Sequence, residues 1–432
     1  MTSEAPPANS LGLFSAIAIV VSSMVGAGLY TTSGFALADL GNPTLVMLAW
    51  LVGGVVALCG ATSYGVLAAH FQESGGEYLF LARGVHPALG VLAGLVSMIA
   101  GFTGAIAFAA SALESLVRDL IPAGTGLPGG TFALLAVGLA TVQHLFRVRL
   151  GASIQNGMVA LNLLLLTLFV AVAASQFPGG WEGLNEGFAG KSASVDPAVF
   201  ATSLMWISLS YCGFNAAIYC SGEFVERGRT VRRALLLGTA LVTLFYIAVN
   251  AVFVYSVAMD KVAGQEQVAT IVAGELAGRG FAWVMGLTIC VSLYTSVSAL
   301  IMTGPRIYAQ MAADGVLPRM FAFQGTTPRF SILVQAAAAM LMIAITSLQD
   351  LLTYLSFTLS LSSAITVASL FWIERDEKLS WSQSIAAGFF VVATTGIALL
   401  SASRHPLESI SGLATLFGGL VIYLLASRWK SN

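Results

Sequence analysis

Ser22-Ser23-Met24-Val25-Gly26-Ala27-Gly28 interrupts the first long apolar run of the chain, and Ser208-Leu209-Ser210-Tyr211-Cys212-Gly213-Phe214-Asn215 interrupts the sixth. Glycine weakens a helix interior relative to alanine and leaves the backbone uncovered. Inside a bilayer such a break has no solvent, so irregular backbone survives only where it lines a cavity or is buried in protein. From Gly26 to Gly213 is 187 residues, the interval expected of five helices followed by a second five. Glycine-interrupted runs at corresponding places in two halves of a chain point to the binding site of a secondary transporter. The same glycines also suit close helix packing through small side chains, and spacing does not choose between the two.

Composition settles the solvent. Of 432 residues, 57% are hydrophobic and 9% charged, against about 25% charged in a soluble domain; mean hydropathy is +0.87. Twelve apolar segments follow, at about 13–38, 44–70, 87–117, 131–147, 151–175, 197–222, 232–258, 279–304, 329–347, 350–373, 381–401 and 408–427. They are numbered 1 to 12 below. The expected architecture is an all-α membrane protein of twelve transmembrane helices, one domain over 13–427 between tails 1–12 and 428–432. Only Gln349 and Asp350 separate segments 9 and 10. The stretch 176–196, with Pro178-Gly179-Gly180, reads as an irregular outer loop.

With the N-terminus inside, fourteen Lys and Arg fall in cytoplasmic loops, among them Arg83, Arg229 and Arg375. Five fall outside: Arg118, Lys191, Lys261, Arg279 and Arg404. This excess marks the cytoplasmic side and puts both termini there, in what is expected to be a bacterial inner (plasma) membrane. Trp372, Trp381 and Trp429 stand at segment ends, where interfacial tryptophans belong. A net charge of −1 excludes a nucleic-acid partner as the organising theme, leaving membrane lipid and a small solute. Cys59, Cys212, Cys220 and Cys290 have no paired spacing, and no metal or organic cofactor is expected. The apolar segments carry no HExxH, GxSxG or facing carboxylate pair, so enzyme chemistry is unsupported.

Four stretches carry a family resemblance: Ser22–Tyr30 (SSMVGAGLY), Phe71–Arg83 (FQESGGEYLFLAR), Leu209–Glu223 (LSYCGFNAAIYCSGE), and Arg306–Pro318 (RIYAQMAADGVLP) with Thr327-Pro328 beyond it. In order and spacing they resemble the amino acid permeases of the amino acid–polyamine–organocation superfamily. That resemblance implies the leucine-transporter fold, with broken helices 1 and 6. Repeat one (about 13–175) and repeat two (about 197–374) are then inverted copies, with segments 11 and 12 outside them. It implies a carrier, exchanger or cation symporter, of an amino acid; the alternatives are an amine or polyamine carrier and a non-transporting sensor.

Carried over by position, the N–H groups of Ala27 and Gly28 would bind the substrate carboxylate, with Val25, Gly26, Ser210 and Gly213 forming the surrounding break. Carbonyls of Met24, Leu209 and Cys212 would accept from its ammonium. A half-helix N-terminus favours an anion and free carbonyls favour a cation. Leu209 stands where many relatives place an aromatic gate. Asn162 aligns with a lysine that in many relatives takes the place of a sodium ion, with Ser22, Ser23, Ser292 and Ser296 as its implied neighbours. An asparagine carries no proton to release, which leaves Na+ open as a coupling ion. Glu223 and Arg306 are the implied inner gate.

No acid is expected in the inferred pocket, which favours a neutral amino acid, since an unpaired buried charge is costly. Asp39 and Glu114, at outer segment ends, read as solvated, and His70, His86, His144 and His405 sit at ends or loops.

Overall fold

A computed structural model of the chain describes residues 12–71, 73–120, 126–146, 148–176, 196–224, 226–323, 327–373 and 378–430. Tail residues 1–11, the loop containing Lys191, and Arg147 and Arg375 lie outside the described residues.

Helix starts follow local chemistry. Asn42-Pro43, His86-Pro87 and Asp196-Pro197 open segments 2, 3 and 6. Each supplies a side-chain acceptor for an unpaired first-turn N–H, with proline at the first helical position. Ser380 and Gln383 form a capping box before segment 11. Segments 9 and 10 divide at Thr346-Ser347, earlier than Gln349 and Asp350. The Ser347 hydroxyl caps the Asp350 N–H at 3.2 Å, so those two residues are already helical.

Eight helices among the described residues are long and apolar enough to cross a membrane, and four shorter apolar ones, Thr131–Leu145, Pro197–Ser210, Arg329–Ile345 and Pro406–Val421, accompany them. Leu139, Leu164, Leu244, Val392 and Phe417 are exposed on outer helices, the surface lipid covers. Trp372 and Trp381 are exposed at helix ends. The chain is an integral, multi-pass membrane protein.

Segments 1 and 6 lie at the centre. Segment 7 (Arg227–Tyr255) packs along segment 2 (Pro43–His70) and along Leu13–Met24, the first half of segment 1. The second half, Ala27–Leu40, packs on Pro197–Ser210 of segment 6. Segment 8 (Val268–Thr303) lies against segments 1, 3 and 5.

Three connections differ from expectation. The stretch 71–83, which lies between apolar segments 2 and 3 and matches the family's loop there, holds a helix, Gly76–Gly84. Glu114 is buried rather than solvated. It accepts from Arg118 at 2.5 Å and from the N–H groups of Gly130, Phe132 and Ala133, capping segment 4 from segment 3. Asp39 pairs with Arg404 at 2.7 Å, tying the C-terminal end of segment 1 to the turn between segments 11 and 12.

Candidate functional site

Segment 1 ends as a helix at Met24 and resumes at Ala27. Gly26, the residue before the new helix, offers no side chain to cap it, so its first N–H groups are left to the surroundings. Segment 6 is helical through Ser210, turns over 211–215, and continues only as the 3-10 helix Ala216–Glu223. Its turn pivots on Gly213, whose φ of +104° favours glycine.

The two breaks touch. A Cβ at Gly213 would lie 2.5 Å from the Ser23 carbonyl oxygen, and one at Gly28 would lie 2.3 Å from Ser210 Oγ and 2.9 Å from its Cα. A Cβ at Gly26 would meet Ser296 Oγ at 3.1 Å. These glycines are the condition for two main chains to cross in contact.

Around the crossing lies a cavity of about 130 Å³. Met24, Gly26, Ala27 and Gly28 line it from segment 1, and Leu209, Ser210, Cys212 and Gly213 from segment 6. Ser23 and Ser296, assigned to the ion group from sequence, face this cavity instead, and Ser23 Oγ is buried there without a partner. Leu209 offers no aromatic cover; Phe102 and Phe108 of segment 3 and Phe214 and Tyr219 of segment 6 supply the aromatic wall. Ser97–Gly104 is a π-helical stretch, a device frequent at functional sites, and it turns Ser97, Gly101 and Phe102 to the cavity.

Sequence reasoning missed two residues here. Tyr246 of segment 7 is buried with its hydroxyl 2.6 Å from the Met24 carbonyl and 2.9 Å from the Ser210 carbonyl. One O–H thus serves the last turns of both half-helices, and Met24 is partly satisfied before any ligand arrives. The Leu209 carbonyl likewise accepts from the Cys212 N–H at 2.9 Å. Behind Tyr246, its ring packs on Trp50 and Tyr211, and a chain of bonds runs from Trp50 Nε1 to Ser33 and on to Asn250.

The second missed residue is Glu77, which lines the cavity and corrects the expectation of a pocket without an acid. Gly76, at φ +58°, lets the helix start against Tyr219: a Cβ there would fall 2.0 Å from the ring. Glu77 is 6% exposed. Oε1 accepts from Tyr64 Oη at 2.5 Å and Asn215 Nδ2 at 3.2 Å, and Oε2 from Ser362 Oγ at 3.0 Å. Burial pushes its carboxyl above the usual range, outweighing the three hydrogen bonds, which favour the charged form.

The other expected residues fall into separate groups. Asn162 Nδ2 donates to Ser292 Oγ at 3.1 Å, and Ser292 donates to the Val25 carbonyl at 3.3 Å. Val25 therefore faces segment 8, and the carbonyl engaged is its own rather than one at Ser22 or Ser23. The Ser22 hydroxyl bonds locally to Ile19. Asn162 Oδ1 and the neighbouring Tyr30 hydroxyl are buried outside hydrogen-bonding geometry. These oxygens are neutral and hard, a donor set that suits Na+ in kind. At the far end of segment 6 Arg306 Nε meets Glu223 Oε1 at 2.7 Å, and Arg306 also reaches the Met302 carbonyl. His144 is buried against Ser298 Oγ at 2.8 Å, away from the cavity lining.

Comparison with known proteins bears on the whole chain. The family model described as amino acid permease matches residues 11–419. The large neutral amino acids transporter small subunit 2 of Rattus norvegicus is 25% identical, covering 98% of this chain and 81% of its own length. The Asc-type amino acid transporter 1 of Homo sapiens is 24% identical over 98% and 83%. The serine/threonine exchanger SteT of Bacillus subtilis (strain 168) is 22% identical over 95% and 96%.

Proposed function

The chain belongs to the amino acid permease family, and from that premise we propose that it carries neutral amino acids by alternating access, as an exchanger or a cation symporter. The observation that carries this is the crossing of two broken segments over one cavity, with an uncapped helix N-terminus on one side. The N–H groups of Ala27 and Gly28 offer an anion the positive end of a helix. The half-helix carbonyls offer an ammonium their remaining lone pairs. A zwitterionic amino acid meets both needs with one molecule.

Relatives named for neutral amino acids and for serine and threonine support the neutral class. Glu77 does not oppose it, because its oxygens are already engaged by three neutral donors. The eight long and four shorter apolar helices fall on the twelve segments, which supports twelve spans. The two breaks, 187 residues apart and in contact, support the five-plus-five inverted repeat. Loop charges support cytoplasmic termini, and the membrane proposed is a bacterial inner one.

The test is uptake of labelled L-leucine and L-serine by proteoliposomes preloaded with unlabelled amino acid. Neutral amino acids are expected to compete, and amines lacking the carboxylate are not. Competition by putrescine at equal strength would instead favour the amine carrier, and saturable binding without flux the sensor. Replacing sodium by choline tests whether transport depends on Na+.

A further inference from the structure

Two glutamates are buried among the described residues, and they are held in opposite ways. Glu114 is ringed by donors that cannot accept: the Arg118 guanidinium and three backbone N–H groups. That site suits a carboxylate alone. Glu77 has three neutral partners, and two of them, the hydroxyls of Tyr64 and Ser362, can rotate to accept as readily as they donate.

Among the described residues, no cation beside Glu77 pins its charge. The titratable groups acting on it are Tyr64 of segment 2 and Tyr219 and Cys212 of segment 6. On its own helix, Tyr78 is bonded to Asp314 and Arg83 to Glu73. Of the helices packed on it, Pro87–Val96 carries no titratable side chain, and Leu348–Ala368 presents Ser362. Pro305–Ala313 carries Arg306, committed to Glu223, and Tyr308, whose hydroxyl points to the Met98 carbonyl. The cavity wall gives the carboxyl a path to water and places it beside the expected substrate.

We propose that Glu77 is a proton-binding site of the transport cycle, so that a proton and the amino acid share one cavity and the carrier couples them. This rests on the carrier reading above and names its coupling ion. The proton adds to Oε2, and the new O–H donates to Ser362 Oγ once that hydroxyl turns to accept. Tyr64 and Asn215 keep Oε1. Each bond to the carboxyl is kept in both protonation states, with the Ser362 bond reversed, so titration needs one hydroxyl rotation and no side-chain departure. Loss of the charge weakens the bond from Asn215, because charge-assisted hydrogen bonds are roughly twice as strong as neutral ones. Asn215 closes the turn of segment 6, so the proton loosens the element that lines the substrate site. Burial favours the neutral form, which means protonation as pH falls and uptake driven by an outside-acid gradient.

The experiment uses the full chain in proteoliposomes with labelled L-leucine and L-serine, in two formats. Exchange at equal pH reports the carrier, and net uptake into alkaline-inside vesicles reports the coupling. Expected is several-fold greater accumulation under the gradient, abolished by a protonophore, with Glu77→Gln showing the same uptake with and without it. Exchange without any gradient response, or a gradient response that survives in Glu77→Gln, overturns the proton site and leaves the carrier standing. No flux in either format sinks the carrier reading and the proton site with it. A measurement free of variants covers poor insertion of Glu77→Gln: L-leucine or L-serine added to weakly buffered wild-type protein with a pH indicator. Proton uptake or release on binding supports the site, and its absence across the acidic range overturns it.

Discussion

The break in segment 1 leaves out two residues and resumes as a regular α-helix, whereas the break in segment 6 takes five and resumes only as a 3-10 helix. The first is held by side chains from other segments. Tyr246 takes the Met24 carbonyl, Ser292 takes that of Val25, and Asn162 holds Ser292 in place. The second relies on its own backbone, with Cys212 N–H on Leu209, Ala216 N–H on Gly213, and a positive φ at Gly213. In the carrier proposed above, one break is therefore a rigid docking end and the other a turn, tied to other segments through Tyr246, through the Tyr211 hydroxyl donating to the Trp50 carbonyl at 3.0 Å, and through the bond from Asn215 to Glu77. A carrier needs both kinds: a fixed end to recognise a charged group, and a turn that can move.

The harshest way to break this contrast is at Gly213. Alanine there is held at φ +104° with its Cβ 2.5 Å from the Ser23 carbonyl. A strained backbone of this kind costs about 1–3 kcal/mol before the clash is counted. Exchange is expected to fall to background, with a lower unfolding temperature in detergent. A Gly213→Ala protein with wild-type exchange would mean that the turn is not the pivot described.

Gly28 comes next. A Cβ there meets Ser210 at backbone as well as side chain, so Gly28→Ala separates the half-helices and is expected to lower exchange by about tenfold, near 1.4 kcal/mol. Because Ser210 Oγ is the nearest atom, adding Ser210→Gly should recover part of the loss. No recovery would show that the damage lies in ligand binding at the N–H groups rather than in packing.

Tyr246→Phe acts on both breaks at once, removing the hydroxyl between the Met24 and Ser210 carbonyls. Leaving buried acceptors unsatisfied costs about 1–3 kcal/mol. The expected loss of stability is accompanied by a weaker substrate KM, since Met24 is an expected ammonium acceptor. A change in stability with KM untouched would place Tyr246 in the scaffold alone.

How much of this was legible in the sequence follows the same division. Glycines inside apolar runs mark a break wherever they fall, so Gly26, Gly28 and Gly213 stand out without any structure. Tyr246 does not, because a tyrosine within an apolar segment looks like ordinary core, and only the fold brings its hydroxyl to carbonyls of segments 1 and 6. Glu77 was hidden differently. It lies in a polar connection, and only folding of Gly76–Gly84 against Tyr219 carries it into the cavity wall. Its signal was the pair Gly75-Gly76, both at positive φ, directly before an acid. Glu114 was misread for a related reason: its partners are N–H groups of the next segment, which no local pattern announces.

The smallest expected effect is at Asn162, and it sharpens the comparison because Asn162 supports the segment 1 break alone. Asn162→Ala removes the bond to Ser292 but leaves the one from Ser292 to Val25. A typical hydrogen bond contributes about 0.5–1.5 kcal/mol net, so exchange should fall only a few-fold, with the pH response of Glu77 intact. Asn162→Lys makes the stronger statement. A tethered ammonium reaches the same oxygens, Ser292 and the Val25 carbonyl, and competes directly with any cation held there. Desolvation lowers a buried lysine's pKa, so the variant should acquire a pH dependence that Glu77 does not supply. A sodium response in the wild type that disappears in Asn162→Lys would assign the cation to this group. A sodium response unchanged by the lysine would place the cation elsewhere, and the segment 1 break would then be a docking end with no part in ion coupling.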